Sequence, residues 1–349
     1  MTNQDYTIFN DGVSFIEEPS AEFFNIFSVP KMFEDNIVFK ELKKVEMIAR
    51  VCYKSERVAE NLSDTDSFIT TAKFISMLLK RKHYAMFEHA IFHFKARIKY
   101  VNNYYQTKEY LGNSPYCYIN SVYEKDLPFL YVTTNLRFLL EGKNSITYSL
   151  KKALWSTLIH NCPVSMKHYW NALFQAFFGE DTFSNEEPVS YSAEVYSPIE
   201  LDYKDGYFKK YYTFKLLTDR GVTHELVRHR IASYAQESTR YCNYNKQGIS
   251  FMFPANYSKF TTTAKNIWVS QMYNSASAYN SLIKQGVTPQ DARSVLPNAL
   301  VTTIVVTVDI EELKHILDLR FYGVTGSPHP DMKYLMTKVF SLVSNDLKD

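Results

Sequence analysis

The sequence predicts an α+β fold. Segments with helical periodicity and segments with strand alternation are interspersed along the chain, and they do not follow the regular strand–helix–strand repeat of a parallel α/β protein. At 349 residues, 46% of them hydrophobic, the chain can bury a sizeable core and has the composition of an ordinary globular protein. Length alone permits two domains or one domain with a large insertion.

The first hundred residues predict two helices and a strand. Apolar residues recur at three- and four-residue steps over residues 36–57, which indicates an amphipathic helix. A second helix is predicted over residues 66–82. Apolar and polar residues alternate over residues 92–98, the period-two pattern of a half-buried strand. This strand follows directly after HYAMFEH, residues 83–89.

The middle of the chain is the least regular part. Residues 101–211 contain Tyr-rich stretches around two predicted helices, at residues 145–153 and at about 166–178. We predict a single catalytic domain over residues 1–349, with residues 101–211 forming an insertion or subdomain inside it.

Regular patterns return after residue 211. An alternating strand at residues 212–216 is predicted to stop at a turn, Asp219-Arg220-Gly221. Thr223 is then predicted to cap the N-terminus of a helix that runs through Arg230. The remaining elements predicted from the pattern are a strand at 249–253, a helix at 264–285, a short helix opened by Pro289, a strand at 300–308 and a helix at 309–321.

Charge and cysteine content exclude several classes of protein. Lys and Arg total 39 against 37 Asp and Glu, so a formal charge of +2 gives no global attraction to nucleic acid or an acidic membrane. The four cysteines form no metal-ligand or disulfide pattern. No signal-peptide pattern and no run of about 18 apolar residues is present. We expect a cytoplasmic protein with no metal, nucleic-acid or membrane partner.

Residues 228–240, RHRIASYAQESTR, carry the chemistry. Three arginines, two serines and one histidine fall within this segment. Arginine presents a planar fork that matches phosphate oxygens, and hydroxyl groups add short donors, so the segment suits a phosphate monoester or a dinucleotide. A solvated helix face with ordinary ion pairs explains the composition alone equally well, because Asp219, Glu225 and Glu237 lie nearby in sequence.

The spacing of the segment resembles RHRxxSxxxxSxR, the signature of flavin-dependent thymidylate synthases, at every fixed position. Other stretches are also similar to that family: THELVRHR before the signature and RYCNY after it, with ARSVLPN, TIVVT, LDLR and HYAMFEH elsewhere. The resemblance implies a mixed, mainly antiparallel sheet flanked by helices, here with a large insertion.

The resemblance also implies an activity. Members of that family are FAD-containing homotetramers with active sites formed between subunits. They methylate dUMP reductively to dTMP for nucleotide biosynthesis, with 5,10-methylenetetrahydrofolate as carbon donor and NADPH as reductant. A chain of this family would therefore be a methyltransferase and a flavoprotein.

Site residues are implied position by position. Arg320 would be catalytic, stabilising negative charge on the uracil ring from its place against a carbonyl. The residues expected to bind FAD are His83, Arg228, His229, Arg230, Asp309 and His315. Those expected to bind dUMP are Glu225, Arg228, Gln236, Ser238, Thr239, Arg240, Arg293 and Arg320.

Departures from the family pattern bear on the cofactor and the folate. Ala85 stands where many relatives have a hydroxyl residue, Asp309 where Asn is common, and Asp331 where Gln is usual. Two other hypotheses stay open from the sequence. One is a module that binds nucleic acid through a basic helix containing the RHR residues. The other is a degenerate family relative that binds nucleotide and flavin but does not catalyse the reaction.

Overall fold

The structure is a computed structural model that describes residues 7–8, 12–26, 29–59, 62–98, 114, 116–124, 127–140, 148–161, 191–196, 203 and 206–347. The chain divides into two compact units. Unit 1 comprises Met1–Asn25, Arg50–Ser55 and Tyr212–Asp349, and unit 2 comprises Ile26–Ala49 and Glu56–Tyr211.

The strands form three sheets. In chain order they are β1 (Thr7–Ile8), β2 (Val13–Ile16), β3 (Ser20–Phe23), β4 (Ile91–Ile98), β5 (Cys117–Glu124), β6 (Leu127–Asn135), β7 (Tyr191–Tyr196), β8 (Tyr211–Asp219), β9 (Ser233–Gln236), β10 (Ile249–Met252) and β11 (Val301–Asp309). The strand orders are β1-β2-β10, β3-β8-β11-β9 and β5-β6-β4-β7.

The helices flank these sheets. They are α1 (Ile37–Cys52), α2 (Asp64–Lys80), α3 (Leu136–Leu140), α4 (Tyr148–Asn161), α5 (Arg220–Leu226), α6 (Tyr244–Gln247), α7 (Thr262–Lys284), α8 (Pro289–Ala292), α9 (Ile310–Leu317) and α10 (Pro330–Val343). The β2–β10 pair is parallel, whereas the pairs β1–β2, β3–β8, β9–β11, β4–β6, β4–β7 and β5–β6 are antiparallel. The predicted α+β class with a mainly antiparallel sheet is therefore confirmed.

Unit 2 has its own core around the sheet β5-β6-β4-β7. Phe92 and Phe94 point from β4 into a cluster that includes Phe39 of α1, Leu78 of α2 and Trp155 of α4. All five side chains are fully buried, and each such burial stabilises the fold by roughly 1.5–3 kcal/mol. The alternation at residues 92–98 had predicted this strand.

Unit 1 contains the sheet β3-β8-β11-β9. Helices α5, α9 and α10 cover one core of this unit, to which Leu216, Leu226, Ile304, Leu313 and Met336 contribute. The β-branched run of β11 is almost continuously buried, which explains why the sequence reads as apolar on both faces. A second core packs α7 against the sheet β1-β2-β10.

The structure corrects the prediction for the segment before the signature. Residues 219–221 do not form a turn that ends β8, because Asp219 caps helix α5 directly: its carboxylate accepts a hydrogen bond from the backbone N–H of Val222 over 2.8 Å. Thr223, predicted as the N-cap, is a buried residue inside α5. The helix ends at Leu226 instead of continuing through Arg230.

The boundaries of α2, α7 and β11 agree with the sequence to within a few residues, and α1 ends at Cys52, earlier than predicted. The helix predicted at 145–153 is realised as α4, Tyr148–Asn161, which extends further because Leu154, Trp155 and Leu158 are buried in the core of unit 2. The predicted helix at 309–321 is realised as α9, which ends at Leu317 and passes into a π-helical turn, Asp318–Tyr322. The predicted helix at 166–178 lies outside the described residues. The predicted organisation, a single domain with an insertion at 101–211, stays a prediction, and the structure itself divides into the two compact units given above. In the described part of the chain, no helix combines the length and apolarity needed to cross a membrane.

Candidate active site

The signature segment forms a loop, a short strand and a second loop, and not a helix. Residues 227–232 turn away from the end of α5, and Ser233–Gln236 then form strand β9 at the edge of the sheet beside β11. The hydroxyl of Tyr234 lies 2.8 Å from the carbonyl oxygen of Leu226 and 2.9 Å from that of His229, so it can donate to the turn. This contact fixes the loop that presents Arg228, His229 and Arg230.

Arg320 meets two residues from the signature region. Its Nη1 lies 3.2 Å from Oε2 of Glu225, and its Nε donates to Nε2 of His229 over 3.2 Å. Among the described residues, its Nη2 has no hydrogen-bond partner. The π-helical turn carries this arginine, and π-helical turns frequently occur at functional sites.

His229 is neutral in this arrangement. Its side chain is buried, with 7% of the residue exposed. Burial, followed by the charge of Arg320 and the neighbouring His315, lowers the pKa of His229 to about 4. A neutral ring has one nitrogen that accepts and one that donates, and the acceptor here is the Nε2 atom that faces Arg320.

Two carboxylates complete this cluster. Glu312, in the first turn of α9, places Oε1 3.5 Å from Nδ1 of His229, and the ring of His315 meets the ring of His229 edge-on at 5.9 Å. On the other side, Glu225 holds Arg320. The sequence analysis did not identify Glu312, because neither a motif nor an unusual spacing marks it within the acidic first turn of an ordinary helix.

A second cluster lies at the end of the signature. Nη1 of Arg293 donates to Oγ1 of Thr239 over 3.1 Å, and the backbone N–H of Arg240 donates to Oγ of Ser238 over 3.3 Å. Arg240 is exposed, and its guanidinium lies over the ring of Tyr241. This end therefore carries two hydroxyl groups in contact with Arg293 and with the backbone of Arg240, whose guanidinium lies next to them in sequence.

Helix α5 is tied to the end of β9. Nε2 of Gln236 donates to Oγ1 of Thr223 over 2.9 Å, and Nη2 of Arg220 donates to the carbonyl oxygen of Glu237 over 2.7 Å. Since α5 also carries Glu225, these contacts fix the two ends of the signature relative to each other.

The buried carboxylate of Glu237 holds the loop that follows β9 and carries Ser238 and Arg240. Glu237 is 3% exposed, and its Oε1 accepts from the hydroxyl of Tyr244 and pairs with Nζ of Lys54 at 2.9 Å. Burial and the adjacent Glu237 raise the pKa of Tyr244. The backbone N–H of Ser238 donates to the carbonyl oxygen of Cys52. Local patterns could not reveal Lys54, because 183 positions separate it from Glu237.

The remaining residues identified from the sequence have different surroundings. Arg228 and Arg230 are exposed, on either side of buried His229. Asp309 is buried and caps α9, since its Oδ1 accepts from the backbone N–H of Glu312 over 2.9 Å. His83 belongs to unit 2, where it precedes the 3-10 helix Tyr84–His89.

One set of side chains has the composition of a metal site. Ligand-type atoms of His229, Glu312 and His315 lie within 4.8 Å of one another. Binding of a cation by His229 would compete with existing contacts, because Nε2 accepts from Arg320 and Nδ1 faces Glu312. The absence of a metal therefore stays a prediction from the sequence.

A cavity of about 320 Å³ borders the first cluster. Glu225 lines it together with Asp219 and Asp331, and His329 lies at the same cavity. Burial raises the pKa of Asp219, an effect that its bond from the backbone of Val222 partly opposes. The carboxylate of Asp331, which stands in place of a usual Gln, is within hydrogen-bond distance of the backbone N–H of Ala255 and so has a structural role.

Comparisons with known proteins identify a family. Residues 38–101 and 209–346, more than half of the chain, match the family model described as thymidylate synthase complementing protein. The stretch between the two matched segments nearly coincides with the predicted insertion at residues 101–211.

Individual relatives match over parts of their length. The chain is 44% identical over 101 residues to a flavin-dependent thymidylate synthase of Geobacter sulfurreducens, covering 29% of this chain and 43% of that one. It is 35% identical over 157 residues to a flavin-dependent thymidylate synthase of Pyrococcus furiosus, covering 43% of this chain and 64% of the relative. The chain thus spans less than two thirds of the length of these relatives.

Among solved structures, the chain is similar to a UMP/dUMP methylase, PolB, from Streptomyces cacaoi bound with 5-Br dUMP. The sequence identity is 19% and the TM-score is 0.34, with coverage of 39% of this chain and 67% of the other.

Proposed function

The chain belongs to the family of thymidylate synthase complementing proteins, and from that membership we propose that it is a flavin-dependent thymidylate synthase. The proposed reaction is the reductive methylation of dUMP to dTMP, with FAD as cofactor and with 5,10-methylenetetrahydrofolate and NADPH as co-substrates. The observation that carries the proposal is the contact of Arg320 with His229 of the signature across 91 positions of sequence.

The cluster at the end of the signature suits the phosphate of dUMP. Arg240 and Arg293 supply two planar forks, and Ser238 and Thr239 supply hydroxyl donors. Arginine keeps its charge at any working pH, and charge-assisted hydrogen bonds are roughly twice as strong as neutral ones. We propose that these four residues bind the phosphate of dUMP and that Gln236 and Arg228 also bind the nucleotide.

Arg320 has the arrangement expected of a group that stabilises negative charge on a uracil carbonyl. Glu225 and His229 hold the guanidinium at Nη1 and Nε, which leaves Nη2 to donate to the ring. Neutral His229 orients the guanidinium without adding a second positive charge. A fixed donor of this type typically contributes about 10²–10³ in rate, because it needs no reorganisation as charge develops.

The surface residues of the signature fit the flavin cofactor that the family implies. Exposed Arg228 and Arg230 offer two cations for a diphosphate, and His315 on the exposed face of α9 offers a polar contact. His229 and Asp309 remain part of the proposed set, although the carboxylate of Asp309 also caps α9. When bound, reduced FAD supplies the hydride, so the task of the protein is orientation and electrostatics.

A homotetramer with shared active sites is part of the proposal. Val227, Ile231 and Tyr241 are exposed apolar or aromatic residues within and beside the signature, and Ile231 is 55% exposed. Apolar groups beside binding arginines are typical of a surface that a ligand or another subunit covers. His83 would then reach the cofactor of a neighbouring subunit.

Purified protein tests the proposed function. The visible spectrum of the isolated or FAD-reconstituted protein is expected to show bound flavin, which a nucleic-acid-binding module would lack. Addition of dUMP is expected to perturb that spectrum and to permit NADPH oxidation and dTMP formation with the folate. A flavin and dUMP response without dTMP would instead identify a degenerate relative that binds without turnover.

A further inference from the structure

We propose that Glu312 is a positioning residue that holds the ring proton of His229 on Nδ1 and thereby orients Arg320. The inference rests on the proposed function for the meaning of Arg320, but the arrangement itself is testable without turnover. The proposed chain of contacts runs from the Glu312 carboxylate through the His229 ring to the Arg320 guanidinium and ends at Glu225.

The direction of the contacts follows from proton counting. Arginine only donates, so the Nε of Arg320, 3.2 Å from the ring, requires an unprotonated Nε2 on His229. In a neutral imidazole the proton must then reside on Nδ1. Oε1 of Glu312 lies 3.5 Å from that atom, where a carboxylate attracts the N–H and stabilises this tautomer.

The helical geometry explains how one residue can act on the other through His229. Glu312 lies in the first turn of α9, whereas Arg320 lies in the π-helical turn that continues α9 past Leu317. His229 comes from the signature loop and contacts both, with its ring also bounded by His315. The imidazole of His229 therefore contacts both the first turn of α9, at Glu312, and the π-helical turn that follows α9, at Arg320.

Helix stability alone does not account for Glu312. Acidic residues in a first turn complement the helix dipole, and Glu311 and Glu312 both satisfy that requirement. Glu311 is exposed, whereas the side chain of Glu312 is 11% exposed and lies beside His229. Glu311→Ala is consequently a matched control: it removes a first-turn acid and leaves the acid that faces the ring.

Nitrogen NMR of histidine rings tests the tautomer directly. Protein labelled with ¹⁵N-histidine would be recorded near neutral pH, with the His229 signals assigned by their loss in His229→Gln. Wild type and Glu311→Ala are expected to show protonated Nδ1 and unprotonated Nε2. Glu312→Ala is expected to shift His229 toward a mixture of tautomers. A wild-type His229 protonated on Nε2, or a Glu312→Ala spectrum identical to that of Glu311→Ala, overturns the inference.

Kinetics then test the effect on Arg320. In Glu312→Ala, kcat for dTMP formation is expected to fall up to about 10²-fold with little change in flavin content, since small misplacement of a catalytic group has losses of that order. Glu312→Gln, whose amide oxygen can occupy the place of the carboxylate oxygen that faces Nδ1, is expected to recover most of the loss. Glu311→Ala is expected to match wild type.

The two proposals fail in distinguishable ways. A wild type that forms no dTMP rejects the proposed function, and the ring spectra still decide the tautomer. A wild type that forms dTMP, with Glu312→Ala equal to Glu311→Ala in kcat, rejects the positioning role of Glu312 and leaves the proposed function standing.

Discussion

Glu225 and Arg320 are joined by a contact of 3.2 Å between Oε2 and Nη1, although 95 positions separate them in sequence. One residue lies near the end of α5 and the other in the π-helical turn after α9. Both side chains are partly exposed, so the pair contributes little to the stability of the fold, typically 0–1 kcal/mol. The pair instead serves to hold the guanidinium of Arg320 in one orientation.

Removal of this contact should therefore separate activity from stability. Glu225→Ala is expected to lower kcat/KM for dUMP by roughly tenfold or more while changing the free energy of unfolding by less than about 1 kcal/mol. Glu22→Ala, which removes the exposed pair with Lys215 at 3.4 Å, is the control and should change neither quantity appreciably. Equal kinetics for the two variants would contradict the role given to Glu225.

The ionisation of His229 predicts a dependence of stability on pH. Its pKa is about 4 in the folded protein, below the usual 6.5, so the unfolded chain binds a proton that the folded chain refuses. The titration of His229 therefore leaves the free energy of unfolding unchanged above about pH 6.5 and lowers it as the pH falls from 6.5 toward 4. Thermal unfolding of wild type and His229→Gln across this range should show the steeper loss in wild type.

The comparison between the two proteins is necessary because His93 acts in the same direction. Burial is the main cause that lowers the pKa of His93 in unit 2 to about 3. The contribution of His93 is common to both proteins and cancels in the difference. Parallel pH profiles for wild type and His229→Gln would show that His229 is not held neutral.

Gly323 ends the π-helical turn and should be irreplaceable by alanine. Its φ is 73°, and a Cβ atom there would lie 2.8 Å from the carbonyl oxygen of Gly326 and 2.8 Å from Cδ of Pro328. Backbone strain costs about 1–2 kcal/mol and the clash adds about 1–3 kcal/mol. Gly323→Ala is thus expected to destabilise the protein and to lower activity by displacing Arg320.

Gly286 provides a control with the same kind of backbone. Its φ is 84°, but a Cβ atom there would meet nothing within 4 Å. In chemical denaturation, Gly286→Ala should lower the free energy of unfolding by the backbone strain alone. The difference between the two variants in free energy of unfolding therefore measures the clash at Gly323. Indistinguishable unfolding midpoints would mean that the turn at Gly323 relaxes without cost.

The buried partner of Glu237 is expected to stabilise the loop that carries Ser238 and Arg240. Tyr244→Phe removes one of the donors to the Glu237 carboxylate and should cost about 1–3 kcal/mol, the usual penalty for an under-satisfied buried group. The KM for dUMP should rise as well. Tyr241→Phe, at an exposed neighbouring position, should change the free energy of unfolding by less than about 0.5 kcal/mol.

The sequence predicted those features that local pattern determines. Periodicity located α1, α2 and β11 because each has one continuous apolar pattern, and the spacing of the signature located the arginines. It misplaced the start of α5 because Asp219 and Thr223 are both good N-caps, and only the contact with Val222 selects the first. Glu312, Lys54 and Tyr244 escaped detection because their roles depend on contacts between distant segments.

The measurement that tests the central claim most directly is the transfer of a labelled carbon to dUMP. Protein reconstituted with FAD would be incubated with dUMP, NADPH and methylene-labelled 5,10-methylenetetrahydrofolate, and the nucleotide analysed by mass spectrometry. We predict dTMP labelled in its methyl group from wild type and about 10²–10³-fold slower labelling by Arg320→Ala, with flavin still bound to that variant. Recovery of dUMP with no labelled dTMP from flavin-loaded wild type, or labelling by Arg320→Ala as fast as by wild type, would contradict the account.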